Sequence, residues 1–168
     1  ILYWCRALEM DGIGEKLAEQ LCDEGLVNTL PDLYSLTHSD IVCLERMGEK
    51  SANNIISQLD STRSISLSAF LSALGLPGIG PELATGFAEE LGNSETMFNL
   101  LNDHEIAISR LVTLEGVGET VARSFLEGLS ERREMVEGLA AVIEITAEEA
   151  KQESEGPLTG QTFCITGS

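Results

Sequence analysis

The feature that most constrains this chain is a three-residue motif that occurs four times. The copies are Gly12-Ile13-Gly14, Gly78-Ile79-Gly80 and Gly116-Val117-Gly118, with Arg46-Met47-Gly48 as a degenerate fourth. They recur roughly every 35 residues, and an alanine stands four positions after each second glycine. Those alanines are Ala18, Ala52, Ala84 and Ala122. Repetition at a nearly constant interval predicts a repeated structural unit.

The segments on either side of each motif predict helices, so that every unit is helix, turn, helix. Before Gly48, the pattern Thr37-x-x-Asp40 resembles an N-terminal capping box. The alanine lies about one helical turn after the glycine, where a small side chain lets two helices approach closely. DLYSL (32–36) and TMFNL (96–100) also correspond, which predicts two similar halves.

The composition favours a chain with an aliphatic core and without a membrane-spanning segment. Hydrophobic residues make up 43% of the chain and aromatic residues only 5%, which predicts an aliphatic core. The apolar runs are too short to span a bilayer, and the first residues lack the pattern of a secretion signal, so we expect no membrane partner. Ile1 and Ser168 both look like cut points within a longer protein.

The cysteines do not predict a metal site. They lie at positions 5, 22, 43 and 164, and no two have C-x-x-C spacing. Three sit among apolar neighbours, where cysteine usually packs as a small hydrophobic residue. The only histidines are His38 and His104, so we expect no structural zinc in this chain.

The glycines in front of each helix predict an anion site. The first N–H groups of a helix lack partners within the helix and carry partial positive charge, and glycine removes side chains that would block a phosphate. We therefore expect the turns to hold a nucleic-acid backbone without reading its sequence. A side chain at Gly14 should block the phosphate or disturb a positive-φ turn. The alternative is that the glycines only form sharp corners, and some copies should be purely structural.

Two lysines make the first two copies the stronger candidates. Lys16 and Lys50 lie two residues after their glycines, whereas the later copies have Glu82 and Thr120 there. The third copy also follows the apolar pair Leu76-Pro77, where a basic residue would help. The predicted DNA-binding residues are Gly12, Ile13, Gly14, Lys16, Gly48, Lys50, Gly78, Gly80, Gly116, Gly118 and Arg123.

The net charge of −18 argues against a nucleic-acid partner when it is taken alone. DNA binding needs local positive charge, which five arginines can supply: Arg63, Arg110, Arg123, Arg132 and Arg133. The acidic excess fits a surface adapted to high salt, as in halophiles, and it equally fits an ordinary acidic surface.

The four units resemble the helix-hairpin-helix motifs of NAD-dependent DNA ligases. The resemblance is carried by LEMDGIGEKLAEQL, DLYSLTHSDIVCLERMGEKSANNI, SALGLPGIG and LEGVGETVARS, and GPLTGQTFCITGS (156–168) resembles the first strand of the family's BRCT domain. It implies an all-α fold of four helix-hairpin-helix motifs in two pseudo-symmetric pairs over residues 1–147. It also implies an acidic linker over 148–156 and a truncated BRCT domain over 157–168.

The same resemblance implies a function in DNA replication and repair. The full-length enzyme would seal nicks in double-stranded DNA through an adenylated lysine, with NAD, magnesium and zinc as cofactors, in the cytoplasm and associated with the nucleoid. None of Lys16, Lys50 and Lys151 begins the family's K-x-D-G motif, and the family's four-cysteine zinc finger would precede Ile1. This fragment should therefore carry no cofactor, be inactive alone, and hold nicked DNA while other domains of the ligase catalyse.

Two other functions remain open from the sequence. One is a stand-alone helix-hairpin-helix protein that binds DNA or DNA junctions. The other is a helical protein-interaction domain whose turns bind nothing, which the acidic charge favours. An upstream K-x-D-G lysine would distinguish the ligase from both, and a salt-dependent DNA affinity would exclude the last.

Overall fold

The computed structural model describes residues 1–147, so the predicted linker (148–156) and BRCT segment (157–168) lie outside the described residues. Within residues 1–147 there are ten α-helices, one 3-10 helix and two short strands. In chain order they are α1 (Leu2–Ala7), α2 (Glu15–Asp23), the 3-10 helix (Pro31–Ser35), α3 (His38–Val42), α4 (Glu49–Ser61), β1 (Ser64–Ser66), α5 (Leu67–Ala73), α6 (Pro81–Leu91), α7 (Ser94–Leu100), α8 (His104–Leu111), α9 (Glu119–Glu131), α10 (Arg133–Val142) and β2 (Glu144–Thr146).

The helices form two halves with the same order of elements. The first half runs from α1 to α4 and the second from α5 to α9, with the 3-10 helix of the first half replaced by α7 in the second. The repeated motifs join α1 to α2, α3 to α4, α5 to α6 and α8 to α9; these units are named hairpins 1 to 4. The predicted all-α fold of four helix-hairpin-helix motifs in two pairs is confirmed, with α10 as an additional helix.

The alanine of each motif lies where the sequence predicts a small residue. Ala52, Ala84 and Ala122 are fully buried, and Ala18 is nearly so. In each hairpin the alanine N–H donates to the carbonyl oxygen of the N-cap glycine, at 2.9–3.0 Å. The four hairpins therefore begin their second helix in the same way.

The core is mostly aliphatic, and aromatic side chains lie where the two halves meet. Trp4 of α1 packs edge-on against Phe70 of α5, with ring centroids 5.9 Å apart. The Trp4 indole N–H donates to the Tyr34 hydroxyl at 3.1 Å, and this hydroxyl lies 3.3 Å from the Thr62 hydroxyl. Burial raises the pKa of Tyr34. The Trp4–Phe70 contact joins the first half to the start of the second, and the hydrogen bonds of Tyr34 fix Trp4 within the first half.

A short parallel sheet also joins the halves, and the sequence did not predict it. β1 lies between the halves and β2 follows α10, with Ser64 opposite Glu144 and Ser66 opposite Thr146. The Ser64 hydroxyl donates to the Glu144 carboxylate at 2.9 Å. Strands of three residues carry too little periodicity to be recognised in a sequence.

Candidate nucleic-acid interface

The first residue of every turn has a positive φ angle, and the residue after it anchors the turn. The φ angles are 93° at Gly12, 63° at Arg46, 76° at Gly78 and 77° at Gly116. This left-handed conformation favours glycine. The middle residues Ile13, Ile79 and Val117 are buried. Ile13, predicted as part of the DNA site, thus contributes its side chain to the core.

The second glycine of every turn has a different geometry from the one expected. Gly14, Gly48, Gly80 and Gly118 are the N-cap residues of α2, α4, α6 and α9, with extended backbones and φ between −86° and −124°. The expectation of a positive-φ geometry at Gly14 is therefore wrong, because Gly12 supplies it. A Cβ atom built on any of the four second glycines would meet no atom within 4 Å. The space above each helix N-terminus is open.

These four helices also lack the side-chain caps that neighbouring helices have. Side-chain oxygens of Thr37, Ser66, Asn93 and Asp103 accept hydrogen bonds from backbone N–H groups at the starts of α3, α5, α7 and α8. At the starts of α2, α4, α6 and α9 no side chain accepts such a bond, because glycine occupies the N-cap. The turns therefore leave the first N–H groups accessible to an external acceptor.

The capping box predicted before hairpin 2 is confirmed. The Asp40 N–H donates to the Thr37 hydroxyl at 3.3 Å, and the Thr37 N–H donates to the Asp40 carboxylate at 2.8 Å. The Thr37 hydroxyl also donates to this carboxylate at 2.7 Å. The hydrogen bonds from the hydroxyl and then the N–H of Thr37 lower the pKa of Asp40. The first helix of hairpin 2 is thus capped by its own residues, in contrast to the second.

The side chains of Lys16 and Lys50 are exposed and form no hydrogen bond or ion pair with other residues of the range 1–147. The arginines that were expected to supply local positive charge are engaged within the protein. They pair as Arg63 with Asp60, Arg110 with Glu90, Arg123 with Glu119 and Arg133 with Glu137, while Arg132 donates to the carbonyl oxygens of Leu74 and Gly75. The hydrogen bond to Glu119 raises the pKa of Arg123. Lys16 and Lys50 are therefore the cations beside the turns that have no partner within residues 1–147.

Three of the four hairpins carry a glutamate at the first position of the second helix, and each has a basic partner. The pairs are Glu15 with Arg6 at 3.4 Å, Glu49 with His38 at 3.1 Å, and Glu119 with Arg123 at 2.7 Å. Arg6 and Arg123 offset the carboxylate charge beside the N–H groups, and His38 does so when protonated. Hairpin 3 differs, because Pro81 takes this position and Glu82 stands where hairpins 1 and 2 have lysine.

Two equivalent hydrogen bonds hold hairpins 1 and 2 side by side. The Asn54 amide donates to the carbonyl oxygen of Asp11, and the Gln20 amide donates to that of Glu45, both at 3.4 Å. Each amide lies six residues after one N-cap glycine and reaches the turn of the other hairpin. The equivalent positions in the second half carry no amide side chain.

The groove between these two hairpins contains several of the predicted residues. It has a volume of about 730 Å³ and includes Gly12, Gly14 and Lys16 of hairpin 1. Its charged residues are Arg6, Lys16 and Arg46, together with Glu15, Glu19, Asp23 and Glu45. Lys50 and the glycines of hairpins 3 and 4 are not part of its lining. Sequence reasoning missed Arg6, because it lies on the preceding helix and outside the repeated motif.

The remaining structural features are possible membrane spans, possible metal-binding groups and the cysteines. Within residues 1–147 no helix combines the length and apolar character needed to cross a bilayer, and no three His, Cys, Asp or Glu side chains are grouped to hold a metal ion. Burial raises the pKa of Cys5 to about 11, as expected for a packed thiol. Cys22 and Cys43 are exposed and do not pack as small hydrophobic residues. Cys164 lies outside the described residues.

Comparison with known proteins identifies the family. The chain matches the family described as "SAM-like Helix-hairpin-helix tandem" over residues 6–61 and 70–131, and each range contains one pair of hairpins. The chain belongs to this family. The resemblance noted in the sequence is therefore supported over both halves of the fold.

The chain is also similar to the DNA ligases of three organisms. It is 38% identical to that of Alkalilimnicola ehrlichii over 97% of this chain, 40% identical to that of Haloarcula marismortui over 96%, and 36% identical to that of Wolinella succinogenes over 97%. The chain spans only 23–24% of the length of these relatives.

Proposed function

We propose that this chain is the DNA-holding region of a DNA ligase and that hairpins 1 and 2 bind the phosphate backbone of nicked double-stranded DNA. The observation that supports this most directly is the open, uncapped N-terminus after each turn. Such a terminus presents N–H donors and the positive end of a helix dipole to an anion. Binding through the backbone carries no sequence information, which suits an enzyme that must act at any nick.

Charge distinguishes the hairpins. Lys16 and Lys50 stand at the second position of their helices with no partner among residues 1–147, so both are available to a phosphate. Hairpin 4 has Thr120 at this position, and it binds through backbone N–H groups alone. Hairpin 3 places Glu82 there and is the weakest phosphate site. The two strong sites therefore belong to the first half of the fold.

The catalytic function belongs to the longer protein. In our proposal it is an NAD-dependent ligase of the cytoplasm, associated with the nucleoid, that forms an adenylated lysine outside this chain and uses magnesium and zinc there. The similarity to DNA ligases and the absence of a K-x-D-G motif in the sequence support this division of labour. The chain itself would hold the duplex for the other domains and would not seal nicks alone.

The proposal is tested by titrating a nicked duplex with the 168-residue chain at several salt concentrations. Lys16→Ala and Lys50→Ala should each weaken binding to all duplexes about equally, whatever their sequence. Each should also reduce the slope of log K against log[salt] by about one unit. Arg133→Ala is the matched control, because this arginine is paired with Glu137 on α10. Glu82→Ala should leave the affinity unchanged or raise it slightly.

A protein-interaction domain is the second candidate, and the net charge of −18 favours it. The same titration separates the two functions. If the wild-type chain binds no DNA at any salt concentration, the result would support the protein-interaction domain, in which the turns only connect helices. Equal affinities of the lysine variants and the wild type would instead show that hairpins 1 and 2 are not the contact surface.

A further inference from the structure

Gln20 of hairpin 1 and Asn54 of hairpin 2 make reciprocal contacts from equivalent positions. Each lies six residues after the N-cap glycine of its own hairpin. The carbonyl oxygens that accept their hydrogen bonds belong to Glu45 and Asp11, respectively, both at 3.4 Å. Asp11 and Glu45 are themselves equivalent, because each immediately precedes the first residue of a turn. The second helix of each hairpin is therefore bonded to the turn of the other.

The turn of hairpin 1 is held against α4 by two amide side chains. The Asp11 N–H donates to the side-chain oxygen of Gln58 at 3.3 Å, while the Asp11 carbonyl oxygen accepts from Asn54. A Cβ atom built on Gly12 would lie only 3.1 Å from the Asn54 amide nitrogen. Both backbone polar groups of Asp11 are thus engaged by hairpin 2, and the next residue lies in close contact with it. The amides of α4 therefore fix the position of this turn.

The stability of the fold does not account for these amides. α4 packs into the core through Ala52, Ile55 and Leu59, whereas Asn54 is exposed. The hydrogen bonds of Gln20 and Asn54 are longer than the usual range of about 2.7–3.2 Å, and exposed bonds of this length contribute little to the free energy of unfolding. Two amides at matched positions therefore require another explanation.

The second half of the fold provides a comparison within the same chain. Its equivalent positions are Gly86 and Ser124, which carry no amide. This half also lacks the two lysines, because Glu82 and Thr120 stand at their positions. The amides and the lysines are thus present together in one half and absent together from the other. The amides accompany the lysine-bearing hairpins and are not a general requirement of the repeated unit.

A fixed spacing matters when two sites bind one ligand. Once one phosphate of a duplex is bound, the second site meets another phosphate of that duplex at a high effective concentration, provided that the spacing of the sites matches that of the phosphates. Sites that move relative to each other lose part of this advantage, because binding must then restrict their motion.

We propose that Gln20 and Asn54 are positioning residues, which hold the phosphate sites of hairpins 1 and 2 at a spacing that lets one duplex occupy both at once. This inference rests on the proposed function and deepens it. The two amides need not touch DNA, because they act through the turns that they hold.

The double variant Gln20→Ala/Asn54→Ala tests the inference, because it changes no charge and keeps both lysines. The salt dependence of binding counts the phosphate contacts that are made together. In a titration of nicked duplex at several salt concentrations, the affinity should fall about tenfold. The slope of log K against log[salt] should fall by about one unit. The melting temperature should stay within roughly 3 °C of the wild type.

Asn53→Ala is the matched control. Asn53 is the neighbouring amide on α4, and its exposed side chain forms no hydrogen bond with other residues of the range 1–147. This variant should bind as the wild type does. A cycle with Lys16→Ala supplies a second measurement. That substitution should weaken binding less in the double variant than in the wild type, because the two sites no longer engage together.

The outcomes separate the inference from the proposed function. If the double variant keeps the wild-type affinity and salt slope while Lys16→Ala binds weakly, the amides have no positioning role and the proposed function stands. A weaker affinity with an unchanged salt slope would also overturn the inference, since both sites would still be engaged. A large fall in the melting temperature would show that the amides are structural. A wild-type chain that binds no DNA would remove both the inference and the proposed function.

Discussion

Replacement of Gly14 by serine separates the two roles that a glycine can have at the start of a helix. Gly14 has an extended backbone with φ of −93°, which serine adopts without strain, and a Cβ there would meet no atom within 4 Å. The serine hydroxyl would accept a hydrogen bond from an N–H group in the first turn of α2, which has no side-chain cap at present. The variant should therefore fold as well as the wild type or better.

Two small effects contribute to the expected gain in the free energy of unfolding of Gly14→Ser. Serine is a better N-cap than glycine by a few tenths of a kcal/mol. Replacing glycine at a compatible backbone also reduces the entropy of the unfolded chain, which stabilises by about 0.4–1 kcal/mol. A total of about 1 kcal/mol corresponds to a rise of roughly 2–4 °C in the melting temperature of a chain of this size.

The expected change in DNA affinity has the opposite sign. The hydroxyl would occupy an N–H group that we assign to the phosphate, and it would fill the space that the phosphate needs. Loss of one hydrogen bond to a charged group costs about 1.5–3 kcal/mol, which is roughly ten- to hundredfold in Kd. Thermal unfolding followed by circular dichroism and titration of a labelled nicked duplex would measure the two effects independently.

Gly80→Ser in hairpin 3 is the matched control. Gly80 has the same extended backbone and open surroundings, but Glu82 follows it in place of lysine. This variant should gain similar stability with little change in affinity. If Gly14→Ser melts higher and still binds as the wild type does, the N–H groups of hairpin 1 do not hold DNA. If it melts lower, our account of the Gly14 backbone is wrong.

Three further predictions concern the fold. Arg63→Ala should destabilise the chain by about 1–3 kcal/mol, because the Tyr34 carbonyl oxygen loses its donor at 2.7 Å; urea unfolding measures this, with Arg63→Lys as the milder control. Ala122→Leu should cost about 1–3 kcal/mol by overpacking a fully buried site, and an unchanged melting curve would contradict that close packing. The Thr37 hydrogen bonds lower the pKa of Asp40. The stabilisation they give is therefore present above the unfolded pKa near 3.9, and it is lost as pH falls through the lower folded pKa. Asp40→Asn should be less stable than wild type at pH 7, and the urea midpoints of the two proteins should converge near pH 2.

The parts of the fold that the sequence predicted correctly are those set by local interactions. The motif spacing located four turns, and the alanine offset placed Ala52 and Ala122 on buried helical faces. The capping box at Thr37 and Asp40 spans only four residues, so its hydrogen bonds follow from the sequence pattern itself. Such features depend on neighbours along the chain, which a single sequence displays directly.

The parts that it did not predict depend on distant partners or on dihedral angles. Gly12 and Gly14 are the same residue type, but Gly12 has a left-handed φ and Gly14 is the N-cap of a helix. Arg63 looked like an available cation, but it donates to the carbonyl oxygens of Tyr34 and of Val142, 79 residues away in the sequence. The residue types alone could not indicate which cations remain available to a ligand.

The ion pairs beside the turns also bear on the proposed DNA binding by a chain with a net charge of −18. At physiological ionic strength the Debye length is about 8 Å, so binding depends on the charges near the phosphate rather than on the whole surface. Near hairpin 1, Arg6 offsets the charge of Glu15 while Lys16 remains available. The groove still contains Glu19 and Asp23, whose repulsion opposes binding at low salt. Molar salt shortens the Debye length to about 3 Å. It therefore screens both the repulsion between these carboxylates and the phosphates and the attraction between the lysines and the phosphates. The backbone N–H groups are less affected, because they donate hydrogen bonds at contact distance. As salt rises we therefore expect the backbone donors to contribute a larger share of the binding than the lysines. No side chain caps these donors in any of the four turns, and hairpin 3 has one donor fewer because Pro81 lacks an N–H group.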